Sequence, residues 1–475
     1  MATATQFILA LPTELIIRIS DFLNTESYGK LRLSCKSLNN TVFDTFAKEF
    51  FTKRQFMLEQ VSLDALVGIS KHPALSKRLS EVIISTHVLS SRFEGDNKSY
   101  VSQDVLLSTG QALHMLVEAF TNLTHLKTVG LRDFDGLGRV RDGEFARWRT
   151  YGWFTPGMPP AHSLATVPPS PIFSLLLFAL GKAMAGRSGP FSSLNLEVIL
   201  RKQHRLEPQA LNVLANYMGS TTKPVLIATK RLFLALDSTR LRVIRNVQSY
   251  EALGDLLRHT PNLEHLRLNF THQDVDAEDF LKFLGEDGNT RSIHKHTLSL
   301  PSPPLTNLQS LDLGMVPVKP DVLIQIILRF RLKSLALWKI GFPCDSLNAA
   351  HLPVFRDFAI DLGCSLPAST ALKKLDIGFM TQCFTETLGE RDRYENAVHF
   401  ANDGDPANRV AGNTSQQVTF EAGNGASVHQ WLREIAERSW VQEDAWTSGS
   451  SGDDISDYDD DEEDESLDHT LHGDM

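Results

Sequence analysis

The chain has 475 residues, of which 42% are hydrophobic and 22% are charged, an ordinary balance for a soluble globular protein. The net charge of −10 comes from the C-terminus, because residues 451–475 hold twelve acidic and no basic side chains, which leaves 47 basic against 45 acidic residues elsewhere. A near-neutral body has no concentrated basic field, so nucleic acid is not expected as a partner.

The length suits one large or two to three smaller domains. The four cysteines are far apart and form no CxxC pair, which is typical of reduced thiols in the cytoplasm or nucleus. The apolar start at 7–11 is too short for a secretory signal and lacks a basic flank. The longest apolar run, Ile172–Leu180, is about half of what a bilayer crossing needs. We therefore expect a soluble intracellular protein without a membrane span.

After a flexible start at 1–9, the first predicted helix spans Pro12–Leu23. Proline suits a first helical turn, and Glu14 suits the positive end of the helix dipole. Asn24 and Thr25 favour a cap and should end the helix. Its apolar residues fall on one broad stripe at helical spacing, namely Leu15, Ile16, Ile19, Phe22 and Leu23.

Two further helices are predicted at Glu26–Ser34 and Lys36–Phe51. Three short helices without a disulfide or a metal rarely bury enough surface to be stable alone. Something must therefore cover part of their apolar surface. The pattern by itself leaves two possibilities open: a helical cap packed on the following domain, or a docking surface for a partner protein.

The first fifty residues contain Leu11-Pro12-x-Glu14-Leu15, then Ile19, Phe22-Leu23 and Leu31-x-Leu33-x-Cys35-Lys36. In this order and with no gap, these residues resemble the F-box family. The sequence departs from the family pattern at Gly29 and Ser34, where apolar residues are usual, and at Leu38, where a tryptophan is common.

The resemblance implies three helices over residues 10–52 that dock on a Skp-family adaptor, which bridges to a cullin scaffold. It implies no cofactor. The residues carried over by position as adaptor-facing are Leu11, Pro12, Leu15, Ile16, Ile19, Leu23, Leu31 and Leu33.

A degenerate repeat runs through residues 53–440. The pattern L-x-x-L-x-L, with Val or Ile allowed, begins at Leu79, Leu126, Leu263, Leu308, Leu332 and Leu372, with weaker copies at 194–200 and 232–234. Helical stretches precede three of the copies, at Gln111–Phe120, Tyr250–Arg258 and Asp321–Arg329.

A helix, a tight turn and a short strand with inward leucines form the unit of a leucine-rich repeat solenoid. The spacing is uneven, because Leu308 to Leu332 is 24 residues whereas Leu79 to Leu126 is 47. We therefore predict an α/β fold with an irregular leucine-rich repeat body that carries insertions. The alternative is a general α/β domain with leucine-rich strands.

One insertion, at about 133–171, is rich in Gly, Pro and Arg. Its aromatic residues Trp148, Tyr151 and Trp153 are candidate target-binding residues, with Arg141, Arg147 and Arg149 as further anchors. The alternative is a loop folded onto the edge of the body with its rings buried.

The C-terminal part is predicted to contain a polar loop at about 385–420 and a closing helix at Ser427–Trp440. Residues 441–475 are predicted to be a disordered acidic tail, because so few apolar residues cannot offset the entropy of ordering.

No motif of bond chemistry stands out. Gly181-Lys182 lacks the upstream glycine of a phosphate loop, and no HExxH zinc helix or G-x-S-x-G elbow occurs. We expect no metal site and no enzyme, but a substrate receptor of a cullin–RING ubiquitin ligase. Two other interpretations remain open: a binding scaffold outside any ligase, and an enzyme whose site lies among the insertions.

Overall fold

The computed structural model describes residues 8–89, 97–136, 139–143, 146, 164–187, 189, 191, 193–201, 205–212, 218–237, 250–271, 276–286, 302–344, 354–385, 393–401, 414–423 and 427–441. They fall into two compact units, one up to Val167 and one from Pro168 onward. The sequence predicts a single body at 53–440, whereas the structure divides this range between Val167 and Pro168. Both units combine helices with parallel strands, which confirms the predicted α/β class.

The three N-terminal helices lie where the sequence predicts them: α1 at Thr13–Asp21, α2 at Thr25–Ser34 and α3 at Lys36–Phe51. The side chain of Asn24 caps α2 by accepting a hydrogen bond from the Ser27 amide at 2.8 Å. The thiol sulfur of Cys35 caps α3 in the same way, at 3.5 Å from the Leu38 nitrogen. Local capping therefore sets the boundaries of these helices.

The rest of the first unit places helices beside a short parallel sheet. Its strands run in the order β1–β2–β4, with Val82 opposite Val129 and Ile84 opposite Leu131. Strands β3 and β5 pair separately in the antiparallel sense. The elements are β1 Lys53–Phe56, α4 Gln60–Lys71, β2 Glu81–Ser85, β3 His87–Leu89, α5 Asn97–Ser108, α6 Gln111–Asn122, β4 Thr128–Arg132 and β5 Leu164–Thr166.

The second unit alternates helices and strands up to a small C-terminal sheet. Its elements are α7 Pro169–Gly186, β6 Leu194–Ile199, α8 Gly219–Ala228, β7 Thr229–Ala235, α9 Glu251–Arg258, β8 His265–Asn269, α10 Asp276–Gly285, β9 Ser310–Gly314, α11 Pro320–Arg329, β10 Ser334–Trp338, β11 Gly341–Cys344, α12 Val354–Ser365, β12 Lys374–Gly378, β13 Thr381–Thr385, β14 Arg393–Ala401, β15 Thr414–Ser415, β16 Gln417–Glu421, α13 Val428–Arg438 and β17 Ser439–Val441.

The main sheet of the second unit aligns the leucine pattern in columns. Strands β6, β7, β8, β9, β10 and β12 follow one another in parallel, and β16 closes the row in the antiparallel sense. Because equivalent positions lie opposite each other, the buried face consists of two continuous columns of apolar side chains. They are Leu232, Leu266, Leu311, Leu335 and Leu375 in one column, and Leu234, Leu268, Leu313, Leu337 and Ile377 in the other.

Side-chain amides join successive copies of the pattern at the turn before each strand. Asn262 Nδ2 donates to the carbonyl of Ile227 at 2.8 Å, and Asn307 Nδ2 donates to the carbonyl of Pro261 at 2.9 Å. Each amide therefore binds the backbone of the preceding copy, which stabilises neighbour against neighbour.

A left-handed residue follows three adjacent strands. Met315 after β9, Lys339 after β10 and Phe379 after β12 have φ of 56°, 53° and 51°. The next residue in each copy turns inward and is fully buried, as Val316, Ile340 and Met380. The copies thus share one turn geometry although no glycine stands at the left-handed position.

The polar loop predicted at 385–420 is wrong in part, because strands β14, β15 and β16 lie within it. Strand β14 pairs with β13, β15 and β17. The alternation in this segment buries Val398 and Phe400, which supplies the apolar contacts that a strand needs. The closing helix is confirmed as α13, whose Leu432 packs 3.6 Å from the position that a Cβ on Gly363 would take.

Helix α7 is long and apolar enough to cross a membrane by length and composition, and half of that stretch is buried inside the second unit. It approaches α8 so closely that a Cβ on Gly181 would collide with the carbonyl oxygen of Thr221. Buried core helices can match membrane-spanning helices in length and composition, so these two properties do not distinguish a core helix from a membrane span.

Candidate adaptor-binding face

The three N-terminal helices share a small core of their own. Its fully buried members are Ile16, Tyr28, Leu38, Val42 and Phe50, and partly buried Ile8, Leu23, Leu31, Cys35, Phe46 and Phe51 pack against them. The hydroxyl of Tyr28 donates to the carbonyl of Val42 at 3.2 Å, and burial raises the pKa of this tyrosine. The core fixes the relative positions of the helices.

Arg32 borders this core. Its guanidinium lies 3.3 Å from the centroid of the Phe46 ring, and its Nε donates to Asn39 Oδ1 at 3.1 Å. Burial lowers the pKa of this guanidinium, which still carries its charge at neutral pH. The contact ties α2 to α3 through a cation above an aromatic face.

Helix α1 leaves a line of apolar side chains in solvent. Leu15, Ile19 and Phe22 are exposed and follow at intervals of four and three residues, which places them on one side of the helix, and the exposed Leu11 lies two residues before the helix begins. We call these four residues the α1 face. Leu15 is 46% exposed and Ile19 is 40% exposed, so each keeps a large part of its surface in solvent.

Phe22 on the α1 face and Leu33 on α2 are the most exposed apolar side chains of these helices. Phe22 is 83% exposed and Leu33, on α2, is 87% exposed. Fully burying a leucine or phenylalanine is worth about 1.5–3 kcal/mol, so this much unpaired apolar surface favours association. Glu14, Arg18 and Asp21 are exposed beside the α1 face and supply a polar border, as protein interfaces usually have.

The structure supports most of the predicted adaptor-facing residues as surface residues. Leu11, Pro12, Leu15, Ile19 and Leu33 are exposed. Leu23 and Leu31 are only partly available because one side of each packs on the core.

The prediction that Ile16 faces an adaptor is wrong. It is 3% exposed and lies inside the helical core, so it cannot contact a partner without unfolding the helices. The apolar stripe of α1 is broad, and helical spacing alone does not show which of its residues face the core and which face solvent. Phe22 was missed as a partner residue, although the same stripe contained it, and the exposed Leu9 was not singled out.

The candidate target-binding residues Trp148, Tyr151 and Trp153 lie outside the described residues, as do Arg147, Arg149 and the tail from 442. Arg141 is described, and its side chain is only 8% exposed because it packs onto the N-terminal helices, so it is not available as a target anchor. Among the residues that the structure describes, no group of three or more His, Cys, Asp and Glu is placed to hold a metal ion.

Comparison with known families agrees with the helical arrangement. Residues 8–45 match the F-box domain family. This segment is an F-box domain. The match covers α1, α2 and the first part of α3, and it includes the α1 face and Leu33, so the exposed apolar residues belong to the F-box itself.

The rest of the chain gains little from comparison. A search of curated proteins found no match. A solved structure, a crystal structure of a Rad7 and Elc1 complex in yeast, is 13% identical, with 80% of this chain and 90% of that chain covered at a TM-score of 0.25. So low a TM-score assigns no fold to the body.

Proposed function

We propose that this protein is the substrate-recognition subunit of an SCF-type ubiquitin ligase. Its F-box binds a Skp-family adaptor and, through that adaptor, a cullin. Its body binds a target protein in the cytoplasm or nucleus. The observation that carries the proposal is the F-box domain at 8–45 with its apolar α1 face exposed to solvent.

The chain itself performs no bond chemistry in this proposal. Tethering a target beside the ubiquitin-transfer machinery converts a bimolecular encounter into a local one with a high effective concentration. The body acts as an irregular leucine-rich repeat array. The two columns of buried leucines and the shared left-handed turn support that interpretation, since both recur from copy to copy.

The proposal is tested by purifying the full chain from cells together with a tagged Skp-family adaptor. The decisive variant is Leu15→Asp with Ile19→Asp, which places two charges on the α1 face. The matched control is Val101→Asp with Val105→Asp, because these valines are also four residues apart on a helix of the first unit and are 52% and 51% exposed.

We expect the wild type and the control to recover the adaptor and a cullin, and the α1-face variant to recover neither. If the α1-face variant binds as well as the wild type, the assignment of the face is wrong.

A second candidate function is a binding scaffold outside any ligase, which the same F-box would allow. Recovery of the adaptor without a cullin from the wild type would favour the scaffold. Recovery of both, with a target that accumulates when the proteasome is inhibited, would favour the ligase.

A further inference from the structure

A short segment far along the chain completes the F-box. Residues 139–143 follow β4 by only a few residues, yet they pack against α1, α2 and α3. We call them the clasp. Its central residue, Arg141, donates from Nε and Nη2 to the two carboxylate oxygens of Glu49, each at 2.5 Å. The guanidinium also lies 4.6 Å from the centroid of the Tyr28 ring.

The clasp holds both sides of the turn between α1 and α2. Arg141 Nη1 donates to the carbonyls of Ser20 and Leu23 at 2.8 and 2.7 Å, where α1 ends. Asp142 accepts from the amide and the hydroxyl of Thr25 at 2.7 and 2.5 Å, where α2 begins. Each charge lies at the helix end whose dipole attracts it. Asp142 accepts from an amide at the start of α2 that has no partner within its helix, and Arg141 adds a donor to carbonyls at the end of α1.

The turn that the clasp holds is the one that carries Phe22. Phe22 directly follows α1, and the two carbonyls bound by Arg141 belong to residues on either side of it. The backbone that carries this exposed ring is therefore held by residues outside the segment that matches the F-box family.

Arg139 adds a third contact. Its guanidinium lies 3.9 Å from the centroid of the Phe50 ring in α3. Burial lowers the pKa of Arg139 to about 10, and the positive charge of Arg54 acts in the same direction. The guanidinium groups of Arg139 and Arg141 are thus largely removed from water, whereas Asp142 stays exposed.

Between these two arginines stands an apolar side chain in open solvent. Val140 is 96% exposed. The residues form one turn of 3₁₀ helix, in which neighbouring side chains project about 120° apart, so Val140 points away from the core that Arg141 enters. Val140 is two residues from Asp142, and Asp142 is bonded to Thr25, three residues from Phe22, so the path along these residues sets an upper limit of about 25 Å on the separation of Val140 and Phe22. A standard interface buries about 800 Å² on each partner and is wide enough to include both residues.

We propose that the adaptor-binding surface extends from the F-box onto the clasp, with Val140 as a contact residue and Arg141 and Asp142 as positioning residues for Phe22. This inference rests on the proposed function, because the occupant is the same Skp-family adaptor. The adaptor is favoured over a target protein because the clasp is bonded directly to the turn that bears Phe22 on the α1 face.

The contact role is tested by measuring the dissociation constant of the full chain for a purified Skp-family adaptor. Val140→Glu is compared with Val105→Glu, a control on α5 that replaces an exposed valine of the same unit away from the clasp. We expect Val140→Glu to weaken binding at least fivefold and Val105→Glu to leave it within twofold of the wild type. Because Val140 contacts almost nothing, its variant should keep the wild-type melting temperature.

The outcomes are distinguishable. If the wild type binds the adaptor and Val140→Glu binds equally well, the extension is overturned and the F-box proposal stands. If the wild type does not bind the adaptor at all, both are overturned.

The positioning role is tested by a double-mutant cycle between Asp142→Ala and Phe22→Ala. If Asp142 acts through the turn that carries Phe22, its removal should weaken adaptor binding three- to tenfold in the wild-type background and less than twofold in the Phe22→Ala background. Equal losses in both backgrounds would mean that Asp142 only stabilises the fold, and the positioning role would be overturned.

Discussion

Arg141 and Glu49 form a two-point ion pair across 92 residues of sequence, with both nitrogen–oxygen distances at 2.5 Å. The arginine side chain is almost fully buried and the glutamate is about a quarter exposed. A planar guanidinium matched to a carboxylate in this way is among the stronger polar contacts in proteins, and it is strongly destabilising to remove one partner.

We predict that Arg141→Met destabilises the F-box by about 2–4 kcal/mol, because it removes the charged partner of Glu49 and the side-chain donor to the Leu23 carbonyl. The matched variant is Arg139→Met, which keeps a long apolar stem over Phe50 and removes a charge that burial already disfavours. It should change stability by less than about 1 kcal/mol. Native-state hydrogen exchange of the amides in α1 and α2 measures both. Equal destabilisation by the two variants would contradict the assignment of Arg141 as the main anchor.

A second prediction separates the core of the F-box from its exposed face. Ile16→Ala should destabilise the helices by about 2–4 kcal/mol, because Ile16 is buried in their shared core. Ile19→Ala, one turn further along α1, should cost less than about 1 kcal/mol in stability but weaken adaptor binding severalfold. The change in stability is measured by chemical unfolding, monitored through hydrogen exchange of the α1 amides. The change in adaptor affinity is measured by titration. A larger loss of stability for Ile19→Ala than for Ile16→Ala would reverse the assignment of the two sides of α1.

Two helical glycines should respond oppositely to alanine. Gly29 in α2 has open space where a Cβ would lie, so Gly29→Ala should stabilise the F-box by about 0.5–1 kcal/mol through helix propensity. Gly181 in α7 lies so close to the backbone of Thr221 that a methyl group would clash with it. Gly181→Ala should therefore destabilise the second unit by about 1–3 kcal/mol. Denaturant midpoints compared with the wild type test both signs. A stabilised Gly181→Ala protein would show that α7 and α8 can separate freely.

The left-handed turn after β10 yields a fourth prediction. Lys339→Asn should keep or slightly raise stability, since asparagine tolerates a positive φ, whereas Lys339→Val should lower it by about 1–2 kcal/mol because a β-branched residue resists that conformation. Thermal unfolding of the two variants in parallel measures the difference. Indistinguishable midpoints would mean that the backbone at Lys339 relaxes out of the left-handed region.

Local patterns in the sequence predict most of the secondary structure. The boundary between α1 and α2 follows from Asn24 as a cap, and the leucine spacing places β2, β4, β8, β9, β10 and β12. The cap that Cys35 provides for α3 emerged only from the structure. Helix and strand periodicity depends on residues close together in the sequence, so it can be recognised without knowledge of the fold. The polar stretch at 385–420 failed as a loop prediction because part of its strand pairing depends on partners about 40 residues away, β12 for β16 and β17 for β14.

The sequence alone determined that an F-box-like set of helices opens the chain and that they carry more apolar surface than they can hide. Only the tertiary structure decided that Ile16 faces inward while Ile19 faces solvent, and that Arg141 belongs to the F-box and not to a target-binding loop. The reason is physical: spacing encodes which residues share a side of a helix, but which side is covered depends on contacts with other elements. For Ile16 these elements are α2 and α3, and for Arg141 the partner Glu49 is 92 residues away.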